Sequence, residues 1–188
     1  MRIVAGRFRG RRLATVGKGD ASAHLRPTGD RTRESLFSML EHRGAVRDAR
    51  VLDLFAGTGA LGLEALSRGA DHVTFVDNGR AAGRLIAENI RLLEVTAQTR
   101  LILREAARLG AYDGPMHDLV FLDPPYGKSI GDKALVAAQS GGWIAPGAVV
   151  VWEEHAPMTA PPGFEFLETR VLGGTNITLL QADAASAA

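Results

Sequence analysis

With 188 residues the chain has the length of one domain, enough to bury on the order of 70% of its unfolded surface without a metal or disulfide staple. It has no cysteine, which excludes a disulfide scaffold, a zinc ribbon, an iron–sulfur site and a thiol nucleophile, and no apolar run approaches the ~18 residues of a membrane span. The net charge of +1 hides a split: residues 1–50 carry 12 basic and 5 acidic side chains, residues 51–188 carry 10 and 16.

The N-terminus, Met1-Arg2-Ile3-Val4-Ala5-Gly6, lacks the apolar core of a signal peptide, so a cytoplasmic protein is the expectation. Ile3–Gly6 and Arg12–Thr15 flank a turn-rich Gly6–Gly10 and predict a short basic β-hairpin. Its arginines (Arg2, Arg7, Arg9, Arg11, Arg12), with Arg26, Arg31 and Arg33 further on, suit bidentate phosphate contacts and stacking on bases. A basic arm on an acidic body points to nucleic acid. After a polar stretch over 17–23, Leu36, Phe37 and Leu40 predict a helix, stopped at Gly44.

From position 50 the pattern alternates. Strands are predicted at 51–55, 72–77, 101–103, 118–122 and 148–152, and helices at 60–68, 80–92 and 130–139. Continuous apolar strands separated by helices predict a parallel sheet covered on both faces. Segments 164–171 and 176–180 lie across Leu172-Gly173-Gly174-Thr175, a hairpin signal. The predicted fold is therefore α/β and Rossmann-like, with a seven-stranded, mostly parallel sheet ending in an antiparallel hairpin. The expected organisation is a basic extension of hairpin and helix over 1–49, a catalytic domain over 50–181, and a disordered tail over 182–188.

Gly57, Gly59 and Gly62 follow the strand at 51–55, open a helix and match G-x-G-x-x-G, and Asp77 ends the next strand twenty residues after Gly57. An acid there can accept hydrogen bonds from ribose hydroxyls. This spacing alone suggests NAD. Asp53, however, puts a carboxylate at the mouth of the loop, where it would repel a pyrophosphate and attract an ammonium group. S-adenosylmethionine has an ammonium, a sulfonium and a ribose, but no phosphate.

Asp123-Pro124-Pro125-Tyr126 closes the strand at 118–122, at the end of the sheet where ligands bind in open α/β folds. The Asp123 side chain and the Pro124 carbonyl can accept the two N–H bonds of an exocyclic amine, and Tyr126 offers a face for the base. Two fixed acceptors aim the amine's lone pair at a methyl donor, so positioning carries much of the rate.

These motifs resemble the class I S-adenosylmethionine-dependent methyltransferases with amino-group targets. The arginine-rich blocks Arg2–Gly6, Gly10–Leu13 and Arg26–Phe37, with Leu52–Gly69 and Asp123–Tyr126, are more narrowly similar to the RsmD-type family, over about residues 2–181. That resemblance implies methylation of guanine N2 in 16S ribosomal RNA, as free RNA or a small-subunit assembly intermediate, the family's usual target being guanine-966. It also implies a cofactor site at Asp53, Phe55, Ala56, Gly57, Gly59, Asp77, Glu105 and Ala106, and a catalytic site at Asp123, Pro124, Pro125 and Tyr126. Arg2, Arg7, Arg9, Arg11, Arg12, Arg26, Arg31 and Arg33 would contact RNA. Leu172 stands where the family often has an aromatic residue, and Asp77 where a glutamate is frequent.

Other residues are given plain roles. The five histidines share no ligand spacing, so no metal site is expected. His117, Trp143 and Trp152 read as structural, Glu153 and Glu154 at the end of the fifth strand as solvated edge charges or as a rim of the pocket, and Asn89 as a match to a recurrent helix asparagine of the family or as a solvated or capping residue. A monomer is the default, and no membrane partner is expected. The rival readings are a DNA adenine-N6 methyltransferase, a non-catalytic RNA-binding assembly factor, and an NAD-dependent oxidoreductase.

Overall fold

The computed structural model describes residues 1–15, 29–125 and 130–184. Its strands are β1 (Arg50–Leu54), β2 (His72–Asp77), β3 (Thr99–Leu103), β4 (His117–Leu122), β5 (Ile144–Glu154), β6 (Phe164–Leu172) and β7 (Thr175–Ala182). Its helices are α1 (Asp30–His42), α2 (Ala60–Ser67), α3 (Arg80–Leu93) and α4 (Ile130–Ser140). No helix among the described residues is long and apolar enough to cross a membrane.

The strands form one seven-stranded sheet in the order β3-β2-β1-β4-β5-β7-β6. The first five are parallel to their neighbours, and β7 is antiparallel to both β5 and β6. Val51–Leu54 and Leu119–Leu122 are buried on both faces, which is why they read as unbroken apolar runs. The strand order reverses between β1 and β4, and open α/β sheets bind ligands at the carboxyl ends of strands at such a switch point.

Two apolar layers cover the sheet. On one face Leu36, Phe37 and Leu40 of α1, Leu63 and Leu66 of α2, and Ile86 and Ile90 of α3 pack on Val51, Val73, Phe75 and Phe121. On the other, Ala134, Leu135 and Ala138 of α4 pack with Ala106 and Leu109 on Leu52, Leu54, Val120 and Trp152. All eight residues of α2 are buried, so this helix is apolar nearly all round. Gly62 permits its close approach, since a Cβ there would sit 2.4 Å from the Phe75 ring.

The N-terminal segment belongs to the first layer: Ile3 and Leu13 are buried in the same cluster as Val51 and Phe121. It forms a shorter hairpin than the one predicted: Ile3 N donates to Arg11 O at 2.9 Å and Leu13 N to Met1 O at 3.1 Å. A single antiparallel bridge joins Arg2 and Arg12, and Gly6–Phe8 forms a turn of 3-10 helix between them. Gly6 has φ 78°, and a Cβ on it would lie 1.8 Å from Ser67 O, so the turn between the paired arms packs its backbone closely on α2.

β5 starts four residues before the predicted 148, because a register shift beside His117 and Leu119 absorbs Pro146 and Gly147. At the other end, Gly173 and Gly174 have φ 60° and 89°, the positive values that a tight two-residue hairpin turn needs.

Candidate functional site

β1 leads into the site. Phe55, with φ 61°, turns the chain off the sheet, and Gly57 and Gly59 continue the turn at φ 58° and 76°. Ala56 N donates to Val76 O at 3.1 Å and Gly59 N to Ala56 O at 2.7 Å, holding the loop against β2.

Two carboxyls fix this loop from below. Asp53 Oδ2 accepts from Gly62 N at 3.0 Å, which satisfies an orphan donor in the first turn of α2. Asp77 accepts through both oxygens, from Gly57 N at 2.9 Å and Gly79 N at 2.7 Å, so it clips the glycine loop to the start of α3. Each oxygen keeps a lone pair for a further donor.

Contrary to the expectation from sequence, Asp53 does not stand at the mouth of the loop. It is 2% exposed, and burial raises its pKa to about 8, helped by the nearby Asp77 charge and opposed by the Gly62 hydrogen bond. At pH 7 it is therefore mostly neutral.

Asp123 follows β4 directly. Asp53 pairs in register with Phe121, and Phe121 with Val151. Side chains alternate along strands, so Asp53, Asp123 and Glu153 face the same side of the sheet at the ends of three neighbouring strands. Desolvation pushes the Asp123 carboxyl well above its ordinary range, and the charges of Glu153, Asp53 and Glu154 push it further. Pro124 is buried and Pro125 exposed. Tyr126 lies outside the described residues.

Glu153 is only 8% exposed, so it is not the solvated edge charge that the sequence suggested. Glu105 is exposed and pairs with Arg108 at 3.2 Å, while the adjacent Ala106 is buried under the far face of the sheet.

The arginines divide into ties and surface charges. Arg33 is 1% exposed, and its guanidinium donates to Arg2 O and to Asp30 Oδ1, so it is a buried brace rather than an open phosphate contact. Arg2 also pairs with Asp30, at 3.1 Å. Arg7 donates to Gln98 Oε1, and Arg11 to Leu92 O at 2.7 Å, yet both stay exposed, as do Arg9, Arg12 and Arg31. Arg26 lies outside the described residues.

Two buried polar residues organise this region: Glu64, which sequence reasoning missed, and Asn89, which it singled out without expecting its burial. Glu64 accepts from Val4 N at 2.8 Å and Ala5 N at 2.9 Å and pairs with Arg68 at 2.9 Å. Asn89 is fully buried and bonds both Ala14 and Thr58. A signal existed for each: Glu64 is the only charge in α2, and Asn89 falls on the apolar stripe of Ala82, Ile86, Ile90 and Leu93.

A family model described as Conserved hypothetical protein 95 matches residues 1–181. The ribosomal RNA small subunit methyltransferase D of Escherichia coli strain K12 is 35% identical over 187 residues, covering 98% of this chain and 91% of that protein. Its namesake in Haemophilus influenzae is 31% identical over 186 residues, with 96% and 93% covered. The solved structure of yhhF from Escherichia coli matches with a TM-score of 0.83 at 35% identity over 98% of each chain.

Proposed function

Since the chain belongs to the RsmD family, whose model spans residues 1–181, we propose that it methylates the N2 amine of a guanine in 16S ribosomal RNA, using S-adenosylmethionine. The observation that carries this reading is the shared placement of Asp53 and Asp123. Both carboxyls face one side of the sheet across its reversal point, beside a glycine loop clipped by Asp77.

The residues present fit the cofactor. An ammonium group beside this buried carboxyl would stabilise its charged form, whereas the negative charge of a pyrophosphate would disfavour that form further. This favours S-adenosylmethionine over NAD, despite the G-x-G-x-x-G spacing. Asp53 and the Ala56–Gly59 turn would hold the methionine part, with Phe55 beside it. Asp77 would take the ribose, and Glu105 and Ala106 would border the adenine. When bound, the cofactor supplies a methyl group made electrophilic by its sulfonium.

The chain's own part is positioning. The Asp123 carboxyl and the Pro124 carbonyl accept the amine's two N–H bonds; a neutral carboxyl still accepts through its carbonyl oxygen. The stiff Asp123-Pro124-Pro125 turn keeps these acceptors fixed while Tyr126 stacks on the base. No strong base is needed before attack: the C–S bond breaks with its electron pair left on sulfur as the C–N bond forms, and the amine then gives one N–H proton to water. The guanine must be unpaired or flipped for its amine to enter. Residues 1–49 act as the RNA-binding extension, through Arg2, Arg7, Arg9, Arg11, Arg12, Arg26 and Arg31.

The test is methyl transfer from labelled S-adenosylmethionine to small ribosomal subunits from cells lacking this protein, followed by nucleoside analysis. Labelled N2-methylguanosine is the expected product. Intact cofactor binding with no label in these subunits would overturn the substrate assignment.

A further inference from the structure

Acids outnumber bases 16 to 10 in residues 51–188, yet three of those ten bases stand on one line along α3. Arg80, Arg84 and Arg91 occupy, with Ala87, positions i, i+4, i+11 and i+7 of the helix. At 3.6 residues per turn these four lie within about 60° of one another and span about 16 Å. All four are exposed, while the opposite stripe of α3 packs into the core.

Arginines that build this fold are paired: Arg33, Arg43, Arg50 and Arg68 all reach carboxylates. The α3 arginines differ. Among the described residues no ion pair or side-chain hydrogen bond engages Arg80, Arg84 or Arg91. Glu88 borders the line beside Arg84, and it forms no ion pair there. Like charges one turn apart on a helix repel, so the row is unfavourable until a polyanion lies along it.

Both ends of the row meet features already described. Arg80 follows Gly79, whose N–H bonds Asp77 at the pocket rim. At the other end, Arg11 donates to Leu92 O, one residue beyond Arg91. That contact brings the exposed Arg9, Arg11 and Arg12 up against the end of α3.

We propose that Arg80, Arg84 and Arg91 continue the N-terminal arginines into one track for the phosphate backbone of the RNA substrate, leading from the loop along α3 to the pocket rim. The surface thus extends beyond residues 1–49 and onto the catalytic body. This rests on the ribosomal RNA reading above, and binding and turnover are read separately so that the two can fail separately.

The experiment measures binding of the full chain to small ribosomal subunits from cells lacking it, across a salt series, with methyl transfer on the same subunits. In Arg84→Gln/Arg91→Gln, affinity at moderate salt should fall about tenfold or more. The slope of log affinity on log salt should flatten by about 1.4 to 1.8, because two phosphates are no longer neutralised. The Arg84→Lys/Arg91→Lys variant should keep most of the slope, and Glu88→Gln should bind more tightly than wild type, which misfolding cannot produce. S-adenosylhomocysteine affinity reports an intact pocket. An unchanged slope and affinity in the double glutamine variant would overturn the track. A wild-type protein that binds subunits in this way but transfers no methyl would overturn the functional reading and leave the track standing.

Discussion

The side-chain amide of Asn89 holds both backbone groups of Ala14: Oδ1 accepts from Ala14 N at 2.6 Å and Nδ2 donates to Ala14 O at 3.2 Å. The same Nδ2 donates to Thr58 O at 3.0 Å, between the two glycines of the loop. One buried side chain of α3 therefore ties the N-terminal segment to the candidate cofactor loop. Asn89→Ala leaves an amide and two carbonyls without these partners. Each such loss costs about 1–3 kcal/mol where water cannot enter; Ala14 is half-buried and can partly turn to water, so the variant should lose about 3 kcal/mol or more in urea unfolding. The loosened loop should also bind S-adenosylhomocysteine about tenfold more weakly. Wild-type stability in Asn89→Ala would show that the three bonds are dispensable.

Asp53 sets a pH dependence whose sign can be worked out. Its folded pKa of about 8 lies above the ordinary 3.8, so the folded state holds a proton that the unfolded state releases. The resulting stability is fully present below about pH 4 and is lost progressively as pH rises to about 8, at roughly 1.4 kcal/mol per unit. Asp53→Asn keeps an acceptor for Gly62 N without the titration. Its stability relative to wild type should therefore improve between pH 5 and pH 8, as read from urea midpoints. Binding of a cationic cofactor to wild type at pH 7 should release a proton, visible by calorimetry in buffers of different ionisation enthalpy. A relative stability that does not change with pH would mean that Asp53 is ionised in the fold.

His117 acts with the opposite sign. Burial lowers its pKa to about 4, while Nδ1 lies 2.8 Å from Trp143 O and Nε2 lies 3.0 Å from Thr74 Oγ1. A histidine held neutral contributes stability above about pH 6.5 and loses it as pH falls towards 4. Wild type should lose this contribution on acidification between those values, and His117→Gln should not. Removing the ring from a filled site should cost His117→Gln about 1–3 kcal/mol at pH 7. Parallel stability curves for the two proteins between pH 4 and pH 7 would show that the ring is protonated in the fold.

The parallel sheet is legible in the sequence because its strands are buried on both faces and so advertise themselves as apolar runs. The terminal hairpin is legible because Gly173 and Gly174 leave little but a tight turn between two apolar segments. The glycine loop, Asp53, Asp77 and Asp123 are legible from spacing, since strand and helix lengths carry them to the same end of the sheet. What stays hidden depends on partners far along the chain. Glu64 is buried because Val4 and Ala5, about sixty residues earlier, bring it two amide donors. Asn89 is buried because Ala14 and Thr58 meet above it, and Glu153 sits beside Ile177 of β7, so β5 is an interior strand and not an edge. Local pattern cannot reveal such burial. The N-terminal hairpin is only partly legible for a related reason: residues 1–3 and 10–13 do pair, but the pairing is short because the turn between them docks its backbone on α2.

Glu64 makes that docking testable. It is buried with Arg68, which also reaches Glu34 at 2.7 Å and Glu41 at 3.1 Å, so one network joins residues 4–5, α1 and α2. Glu64→Ala removes the acceptor of two backbone amides and leaves the Arg68 guanidinium short of a partner. Breaking a buried pair from one side typically costs about 3–5 kcal/mol. The first dozen residues should become sensitive to brief trypsin treatment at Arg7, Arg9, Arg11 and Arg12, while the sheet resists. Wild-type resistance in Glu64→Ala would mean that Ile3 and Leu13 hold the segment unaided.

The last prediction separates the roles of two carboxyls at the same end of the sheet, Asp77 at the end of β2 and Asp123 just after β4. Asp77 is committed to backbone: it clips Gly57 and Gly79 together, and the loop between β1 and α2 takes its shape from that clip. Asp123 follows β4, and its raised pKa reflects burial among like charges, not a partner that satisfies it. Asp77→Ala should therefore weaken S-adenosylhomocysteine binding by tenfold or more, with turnover at saturating cofactor reduced far less. Asp123→Ala should leave that affinity within a few-fold of wild type, or tighten it by relieving repulsion on Asp53. Its turnover should drop by about a hundredfold or more, the usual cost of losing a fixed electrostatic contact to the reacting group. Asp123→Asn retains an acceptor and should fall between. Calorimetry with single-turnover methyl transfer reads both quantities on the same preparations. A reversed pattern, with turnover lost in Asp77→Ala and cofactor affinity lost in Asp123→Ala, would exchange the two roles and place the amine against the glycine loop.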